Sequence, residues 1–125
     1  MPDYFQVANG EILLVVLIED IVALGQLDDI LKVEHIDVFF VAPADLAASM
    51  GHIGNPAHPA VQAALHDALQ KIGKAGRCAG TITDLDGAER LARLGVRLLL
   101  TNVAPWMQSG AKLFAERLEK GAKVG

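Results

Sequence analysis

Cysteine is nearly absent from this 125-residue chain, which has Cys78 alone and so cannot form an internal disulfide. Proteins that do without disulfides are typical of reducing compartments, and we expect a cytoplasmic location. No metal-ligand pattern surrounds Cys78, so we predict that it is a small buried hydrophobic residue and not a nucleophile.

Positive charge and long apolar runs are also scarce. The 11 Lys and Arg are outnumbered by 15 Asp and Glu, which gives a formal net charge of −4. This balance argues against a nucleic-acid partner, which needs a basic face, and leaves no polybasic patch for anionic lipid. The longest apolar run, 12–18, is far shorter than the roughly 20 residues of a membrane helix. Residues 1–10 do not resemble a signal peptide, and we predict no membrane partner.

Hydrophobic residues, in contrast, make up 52% of the chain, which is enough to build a core. The length suits one domain that covers residues 1–125. Four short runs predict buried strands, at 12–19, 36–42, 78–84 and 97–103. Because these runs are largely apolar, they are typical of parallel strands covered on both faces.

Helical patterns separate the strands and are predicted at 21–32, 59–75, 86–94 and 107–120. The clearest, 59–75, has Pro59 in the first helical position and Gly76 at its end, and the helix 86–94 ends at Gly95. The helix 59–75 also has one apolar stripe, formed by Val61, Ala64, Leu65, Ala68, Leu69 and Ile72. A strand–helix unit repeated four times predicts the α/β class with a parallel sheet. Two architectures fit this order: an open doubly wound sheet, or half of a TIM (β/α)8 barrel, whose full length is about 250 residues.

Two carboxylates follow the first two predicted strands. Glu19 ends the run ILLVVLIE, and Asp45 comes shortly after IDVFFVA. Neighbouring parallel strands bring their carboxyl ends to one edge about 4.8 Å apart, so the two side chains can share a cation. Oxygen ligands select hard ions, here Mg²⁺, Mn²⁺ or Co²⁺. The alternative roles are structural, with Glu19 capping the next helix or pairing with an arginine and Asp45 capping the turn DLAASM.

The turn 42–46 offers an anion site beside these carboxylates. Pro43 has no N–H, while the small Ala44 leaves backbone N–H groups accessible at the start of a helical turn. Such a helix start attracts a carboxylate or a phosphate. A cation and these N–H groups together would hold a 2-oxo acid by its keto oxygen and its carboxylate.

Other candidate residues have weaker patterns. His52 and His58 match no usual metal-ligand spacing and are predicted to be loop residues at the surface. Asp84 is predicted to cap a helix, and Asn102 is placed to reach a ligand from the fourth strand. Trp106 and the adjacent methionine are expected to pack at the start of the last helix.

The segment VVLIED, followed by IDVFFVAPADLAASMGHIGNPAHPAVQAAL, resembles the HpcH/HpaI-type aldolases. These are metal-dependent class II pyruvate aldolases, and they include 2,4-dihydroxyhept-2-ene-1,7-dioate aldolase and 2-dehydro-3-deoxyglucarate aldolase. The resemblance extends from Tyr4 to the last helix and rests on the succession Pro-Ala-Asp-Leu, Met-Gly, Gly-Asn-Pro and His-Pro. It implies a TIM barrel, of which this chain would be the C-terminal half, the fifth to eighth strand–helix units.

The same resemblance implies roles for individual residues. Glu19 and Asp45 would be the protein ligands of the divalent metal, and the backbone around Ala42, Ala44 and Asp45 would hold the carboxylate of pyruvate. The metal would act as a Lewis acid on the keto oxygen. The pyruvate enolate, formed when a carbon–carbon bond breaks or before it attacks an aldehyde, would be stabilised electrostatically. A small 2-oxo acid and an aldehyde are the implied substrates.

The chain departs from the family pattern at three points. Ala42 replaces the usual glycine, and Leu17 replaces a glutamine that the aldolases commonly carry two residues before the metal glutamate. Strand alternation puts Leu17 on the same face as Glu19, so a polar contact to the substrate is missing. The family's catalytic histidine–aspartate pair and its substrate arginine belong to the first half of the barrel, so no catalytic acid–base residue is predicted here.

We therefore expect a carbon–carbon lyase (aldolase) domain for 2-oxo acids that is incomplete in this chain. The two unpaired edges of a four-stranded sheet predict a homo-oligomer or pairing with an N-terminal half. Two alternatives remain. One is a non-catalytic module that binds metal and oxo acid, and the other is a citrate-lyase-like acyl-thioester lyase, for which no nucleotide-binding signature is present.

Overall fold

The computed structural model describes residues 3–122, which form four strands and seven helices. The strands are β1 (Val15–Ile18), β2 (Val38–Val41), β3 (Ala79–Ile82) and β4 (Leu98–Leu100). The helices are α1 (Tyr4–Glu11), α2 (Ile21–Gly25), α3 (Leu27–Ile30), α4 (Pro43–Ser49), α5 (Pro59–Lys74), α6 (Leu85–Arg93) and α7 (Val103–Ala122). In this part of the chain, no helix combines the length and the apolar character needed to cross a membrane.

The four strands form one parallel sheet in the order β1-β2-β3-β4. This arrangement confirms the predicted α/β class with a parallel sheet. Each strand pairs with the next strand along the chain, so the described sheet lacks the reversal of strand order that marks a doubly wound sheet. Consecutive order is the arrangement found in (β/α)8 barrels. Strands β1 and β4 are the two edges.

One face of the sheet carries the main core. Ile18, Phe39 and Val41 pack there with Leu69 and Ile72 of α5. The apolar stripe predicted for α5 is buried on this face, apart from a partly buried alanine. Full burial of one such aliphatic or aromatic side chain contributes about 1.5–3 kcal/mol, so α5 is the helix that fixes the sheet most strongly.

The opposite face of the sheet is also apolar, but it is buried only near its centre. Val38 and Phe40 are buried, and a Cβ on Gly80 would lie 3.0 Å from side-chain atoms of both. Gly80 therefore allows these side chains to close over the neighbouring strand. On the edge strands, Leu17 and Leu100 are 57% and 51% exposed. This second face is open at the carboxyl end of the sheet.

The two helices beside β3 end at the glycines expected from the sequence. Gly76 follows α5 with φ 72°, and Gly95 follows α6 with φ 88°. Glycine adopts this left-handed conformation without the steric cost that other residues meet. The chain can therefore turn sharply back toward β3 and β4.

Arg77 connects the segment before β2 to the start of β3. Its guanidinium donates to the carbonyl oxygens of Leu31, Val33 and Ile36 at 2.7–3.0 Å. The same group lies 4.7 Å from the centre of the Phe39 ring, a cation–π contact. One rigid donor group thus holds the loop that leads into β2.

Several predicted element boundaries are wrong. The helix predicted at 21–32 is two short helices, α2 and α3, which meet at Gln26 directly after Gly25. The last helix begins at Val103 and not near 107, because the Asn102 side chain accepts a hydrogen bond from the N–H of Ala104 at 2.9 Å and caps it. Helix α1 was not predicted, and none of its residues is buried.

Two predictions about burial are also wrong. Trp106 and Met107 do not pack within the described chain, because they are 52% and 69% exposed on α7. The sequence pattern predicted a helix there but could not show which surface covers these two side chains. Cys78 is half-buried and not fully buried, because it lies just before β3 at the amino end of the sheet.

Candidate functional site

Glu19 and Asp45 lie at the carboxyl ends of neighbouring strands. Ile18 pairs with Val41 in the register of β1 and β2, so Glu19 follows directly after the paired segment. Asp45 is in the first turn of α4, which begins at Pro43 immediately beyond β2. Glu19 is half-buried and Asp45 is exposed. Both residues therefore follow the carboxyl ends of neighbouring strands, and a cation shared between them stays a prediction.

Two hydrogen bonds join the segments that carry these carboxylates. The N–H of Ala42 donates to the carbonyl of Ile18 at 3.0 Å, which extends the strand pairing by one residue. The N–H of Ile21 donates to Oγ of Ser49 at 3.0 Å, which ties the start of α2 to the end of α4. Glu19 lies between Ile18 and Ile21, so its backbone is held against α4 on both sides.

Neither Glu19 nor Asp45 acts as a helix cap. A different residue caps α2, and no side chain caps α4. Asp20 caps α2, accepting from the N–H groups of Val22 and Ala23 at 2.8 Å. Glu19 is not the cap, and Asp45 is the third residue of α4, where its charge interacts favourably with the helix dipole. Within residues 3–122, neither carboxylate forms a side-chain hydrogen bond or an ion pair.

The backbone of the α4 turn presents donors on the same edge. Ala42 is the N-cap residue, and its side chain cannot satisfy the N–H groups of the first turn. Ala44 and Asp45 therefore have N–H groups without an intrahelical acceptor. Leu17, two residues before Glu19 on β1, presents its exposed side chain on the open face of the sheet. The immediate surroundings combine free carboxylates, free N–H groups and one apolar side chain.

The two loop histidines form a pair that their spacing did not predict. The rings of His52 and His58 are stacked with centroids 3.5 Å apart and planes 14° from parallel. His58 also caps α5, with its Nδ1 accepting from the N–H of Ala60 at 3.2 Å. The nitrogen lone pairs of stacked rings lie in separate parallel planes, so the two side chains in this arrangement cannot both point at one metal ion. Both histidines are half-buried and not fully at the surface.

An open cavity of about 900 Å³ lies at the same end of the sheet and extends from Pro43, at the start of α4, to the segments that follow β3 and β4. Asp84 lines it and caps α6, accepting from the N–H of Gly87 at 3.0 Å, as predicted. Asn102 also lines it, but its side-chain oxygen caps α7, so a ligand role would compete with that bond. Neither Glu19 nor Asp45 lines this cavity, so its size does not mark it as the metal site.

Protein ligands for a cation are limited to two at the proposed edge. Among residues 3–122, no group of three or more His, Cys, Asp or Glu side chains converges on one point. Oxygen-preferring ions such as Mg²⁺ commonly keep water and substrate oxygens as further ligands and use only one or two carboxylates. The donor set of Glu19 and Asp45 fits such an ion.

Ser49 is the residue at this site that sequence reasoning missed. Its hydroxyl joins α4 to the start of α2, yet in the sequence it is one polar residue at the end of the turn DLAAS. No spacing rule connects Ser49 to Ile21, since the pairing depends on how two loops meet. A structure was needed to identify it.

Comparison with known proteins places this geometry in a family. Residues 1–99 match the family model described as HpcH/HpaI aldolase/citrate lyase. A hydroxypyruvate/pyruvate aldolase from Cupriavidus necator is 44% identical over 110 residues, covering 87% of this chain and 41% of the relative. A 4-hydroxy-2-oxo-heptane-1,7-dioate aldolase from Klebsiella pneumoniae is 40% identical and covers 98% of this chain and 47% of the relative.

Solved structures agree with the sequence matches. A HpcH/HpaI aldolase/citrate lyase family protein from Burkholderia cenocepacia superposes with a TM-score of 0.82 at 29% identity, covering 94% of this chain and 46% of that one. The chain thus spans about half the length of the relatives it matches. From the family model, the sequence identity and the shared fold together, the chain belongs to the HpcH/HpaI aldolase/citrate lyase family.

Proposed function

We propose that this chain is the metal-binding half of an aldolase that makes or breaks a carbon–carbon bond in 2-oxo acids. The observation that carries the proposal is the pair Glu19 and Asp45. Neither side chain forms a hydrogen bond or an ion pair in the described chain. Both follow neighbouring strands, and the segments just beyond these strands are joined by the bonds Ala42–Ile18 and Ile21–Ser49. Two unpaired carboxylates at one edge repel each other, and a shared divalent cation removes that cost.

The chain's own residues have distinct tasks in this proposal. Glu19 and Asp45 would hold Mg²⁺, Mn²⁺ or Co²⁺, which supplies Lewis-acid polarisation of a carbonyl oxygen when bound. The N–H groups of Ala44 and Asp45 would receive the substrate carboxylate. A 2-oxo acid held at both ends has its reacting carbon fixed in one orientation, and the positive environment favours the negative charge of a pyruvate enolate.

The relatives support the substrate class. One carries the name hydroxypyruvate/pyruvate aldolase and another the name 4-hydroxy-2-oxo-heptane-1,7-dioate aldolase, and both names specify 2-oxo acids. We extend a pyruvate-type donor and an aldehyde acceptor to this chain. Leu17 adds an apolar contact beside Glu19, and Ala42 adds a methyl group near the carboxylate position, so we expect a weaker hold on the 2-oxo acid than a polar residue and a glycine would give.

We also propose that the sheet is half of a (β/α)8 barrel. The consecutive strand order, the helices on one face and the open apolar second face support this interpretation. Completion of the barrel by four further strands would cover the exposed Leu17 and Leu100 and would remove both unpaired edges. Those strands would come from an N-terminal half or from another copy, and they would also bring the acid–base residues of the reaction.

A non-catalytic binding module is the second candidate function. It is favoured by Leu17, which stands where the family pattern has a polar residue two positions before the proposed metal ligand Glu19. Pyruvate proton exchange separates the two functions, because a module that only binds pyruvate does not exchange the methyl protons with solvent. An aldolase site completed by its acid–base residues exchanges them through the enolate, so the test is made with the barrel half that supplies those residues.

Titration calorimetry with Mn²⁺, with and without pyruvate, tests the proposal on the full chain. We expect one bound ion per chain, tighter binding in the presence of pyruvate, and at least a tenfold loss of affinity in Glu19→Gln or Asp45→Asn. A tenfold loss corresponds to about 1.4 kcal/mol. Glu11→Gln, an exposed change on α1, is the matched control and should bind as the unmodified chain does. Equal binding by all four proteins would show that the ion binds elsewhere.

A further inference from the structure

A second cavity lies at the amino end of the sheet, between the ends of α5 and α6. It is open to solvent and has a volume of about 520 Å³. Its walls are the last turn of α5, the end of α6 and the two short segments that lead into β3 and β4. We call this cavity the amino-end groove. The side chains that line it are those of Gln70, Lys74, Arg77, Leu94 and Arg97.

The amino-end groove is positively charged in an acidic protein. Its lining has one lysine and two arginines but no aspartate or glutamate, although the whole chain has 15 acidic and 11 basic residues. The ion pairs within residues 3–122 involve Lys32, Lys71, Arg93 and Lys112, and none of them involves a groove cation. Clustered like charges without counter-charges repel each other and attract an anion.

A structural explanation would be that the cations cap the two helix ends, since basic side chains are favourable at a helix C-terminus. The last carbonyl groups of both helices have other partners, because they accept hydrogen bonds from backbone N–H groups of the following turn at 3.0–3.1 Å. The donor and acceptor pairs are Arg77 to Ile72 and Gly76 to Gly73 after α5, and Val96 to Leu91 and Gly95 to Ala92 after α6. The side chains of Lys74 and Arg97 are therefore not needed as caps.

The helix dipoles reduce the positive charge of the groove but do not cancel it. Each helix C-terminus is equivalent to about −0.5 charge, so the two helix ends contribute about −1. The lysine and the two arginines together carry three positive charges, which leaves a net charge of about +2. A dianion neutralises this charge, whereas a monoanion neutralises only half of it.

The three cations differ in how much they can offer a ligand. The guanidinium of Arg77 is held by three backbone carbonyl groups, so it contributes charge and a fixed wall. Within the described part of the chain, the exposed side chains of Lys74 and Arg97 donate to no protein acceptor. The backbone of Arg97 is fixed, because its N–H donates to the carbonyl of Ala79 at 3.0 Å. Lys74 and Arg97 are thus the available donors, one at each helix end.

A phosphate group on a small molecule matches these features. A phosphate monoester carries about −1.5 to −2 charge at pH 7 and has three acceptor oxygens. The planar fork of Arg97 can donate two parallel hydrogen bonds to such a group, and the ammonium of Lys74 can bind the third oxygen. The groove volume lies within the range of about 300–1,000 Å³ that is typical of small-molecule sites. It therefore has room for an organic part beside Gln70 and Leu94.

We propose that the amino-end groove binds a small organic phosphate through Lys74 and Arg97, with Arg77 adding positive charge. None of the lining residues belongs to the proposed metal site, to the open sheet face or to α7. A phosphate bound here lies at the opposite end of the strands from Glu19 and Asp45. It takes no part in the proposed aldolase reaction, and this proposal does not rest on that reaction.

Titration calorimetry with glycerol 3-phosphate tests the site on the full chain, in buffer that contains EDTA so that no metal ion contributes. We expect one molecule per chain and a dissociation constant of about 1 mM or lower at low salt. Raising NaCl from about 20 mM to about 200 mM should weaken the binding, because salt screens the groove charges. Glycerol should not bind. No binding of glycerol 3-phosphate at about 10 mM would overturn the proposal.

Malonate separates recognition of phosphate from attraction of any dianion. It carries two carboxylates and a similar charge, but it lacks three acceptor oxygens on one centre. We expect its dissociation constant to be at least tenfold higher than that of glycerol 3-phosphate. Equal affinities would show that the groove selects charge alone, and the assignment to phosphate would be wrong.

Two matched double variants remove the same kinds of charge at different places. Lys74→Gln with Arg97→Gln removes the two available donors of the groove and should raise the dissociation constant at least tenfold. Arg90→Gln with Lys120→Gln also removes one arginine and one lysine from exposed positions, and it should bind as the unmodified chain does. Both variants keep Arg77, and circular dichroism checks that they are folded.

The control also tests the other cavity, because Arg90 lines the larger cavity at the carboxyl end of the sheet. Equal losses in the two double variants would mean that only net charge matters. A loss confined to the variant that lacks Arg90 would place the phosphate in the larger cavity. Either result would overturn the proposal.

Glycine amide signals in ¹H–¹⁵N spectra locate the bound phosphate directly. Gly76 and Gly95 line the amino-end groove, whereas Gly87 lines the larger cavity. On addition of glycerol 3-phosphate, the signals of Gly76 and Gly95 should shift and that of Gly87 should stay in place. Shifts of Gly87 without shifts of the two groove glycines would contradict the proposed site.

Discussion

Glu19 owes its position to neighbours that are not proposed ligands. Strand pairing fixes Ile18, and the capping bonds to α2 fix Asp20. The backbone of Glu19, which lies between them, is therefore restricted. The bond from Ile21 to the Ser49 hydroxyl then sets the distance between this segment and α4. The relative position of Glu19 and Asp45 thus depends on Ser49, which is not itself a proposed metal ligand.

Replacing Ser49 by alanine tests this positioning role. The change removes one hydrogen bond and leaves both carboxylates in place, so we expect the Mn²⁺ dissociation constant to rise about tenfold, as for other groups that orient metal ligands. Ser49→Thr keeps the hydroxyl and should restore most of the affinity. Calorimetry measures both variants, and an alanine variant with unchanged affinity would remove Ser49 from the account.

Sequence reasoning located the residues at the strand ends but not their surroundings. Glu19, Asp45 and Asp84 were identifiable because each follows a predicted strand, and strand ends obey a simple rule. Ser49 and the stacked pair of His52 and His58 were not identifiable, because their contacts form between loops whose paths the sequence pattern does not specify.

At the scale of the elements, the amino end of the sheet is held by a latch around Arg77. Its guanidinium bonds to three carbonyl groups of the segment between α3 and β2 and stacks on Phe39. Lysine cannot reproduce this, since a single ammonium group lacks the planar fork of donors. The latch lies at the opposite end of β2 from α4 and fixes how that strand enters the sheet.

Removing the latch should lower stability. We expect Arg77→Gln to reduce the free energy of unfolding by about 2–3 kcal/mol, because hydrogen bonds from a charged donor to partly buried carbonyls are lost together. Arg97→Gln is the control, since that side chain is exposed and the same charge is removed. Urea denaturation followed by circular dichroism compares the two. Equal losses would mean that net charge matters and the latch does not.

Element prediction succeeded where one local signal was strong. The α5 stripe, the first-position proline and the glycine stops agree with the structure because each acts within a single helix turn. The boundary errors arose where signals competed. Val103 has the β-branched side chain of a strand residue, yet Asn102 beside it caps a helix, and the cap prevailed. The predicted helix 21–32 is interrupted at Gln26, directly after Gly25, and glycine has a low helix propensity.

At the scale of the whole molecule, two groups of apolar side chains are exposed within residues 3–122. The open sheet face carries Leu17 and Leu100 and suits the strands of a barrel half, and the large apolar residues of α7 are exposed as well. The sequence showed that these residues are apolar, but it could not show that they are uncovered. That distinction depends on which elements meet, and the pattern along one chain does not contain it.

The central claim is that Glu19 and Asp45 together hold a divalent cation, and crystallography at the manganese absorption edge tests it most directly. In crystals grown with Mn²⁺ and pyruvate, we predict an anomalous difference peak between the two side chains, about 2.0–2.6 Å from a carboxylate oxygen of each. The carboxylate of pyruvate should face the N–H groups of Ala44 and Asp45. A peak beside Asp84 or His58, with none between Glu19 and Asp45, would contradict the account.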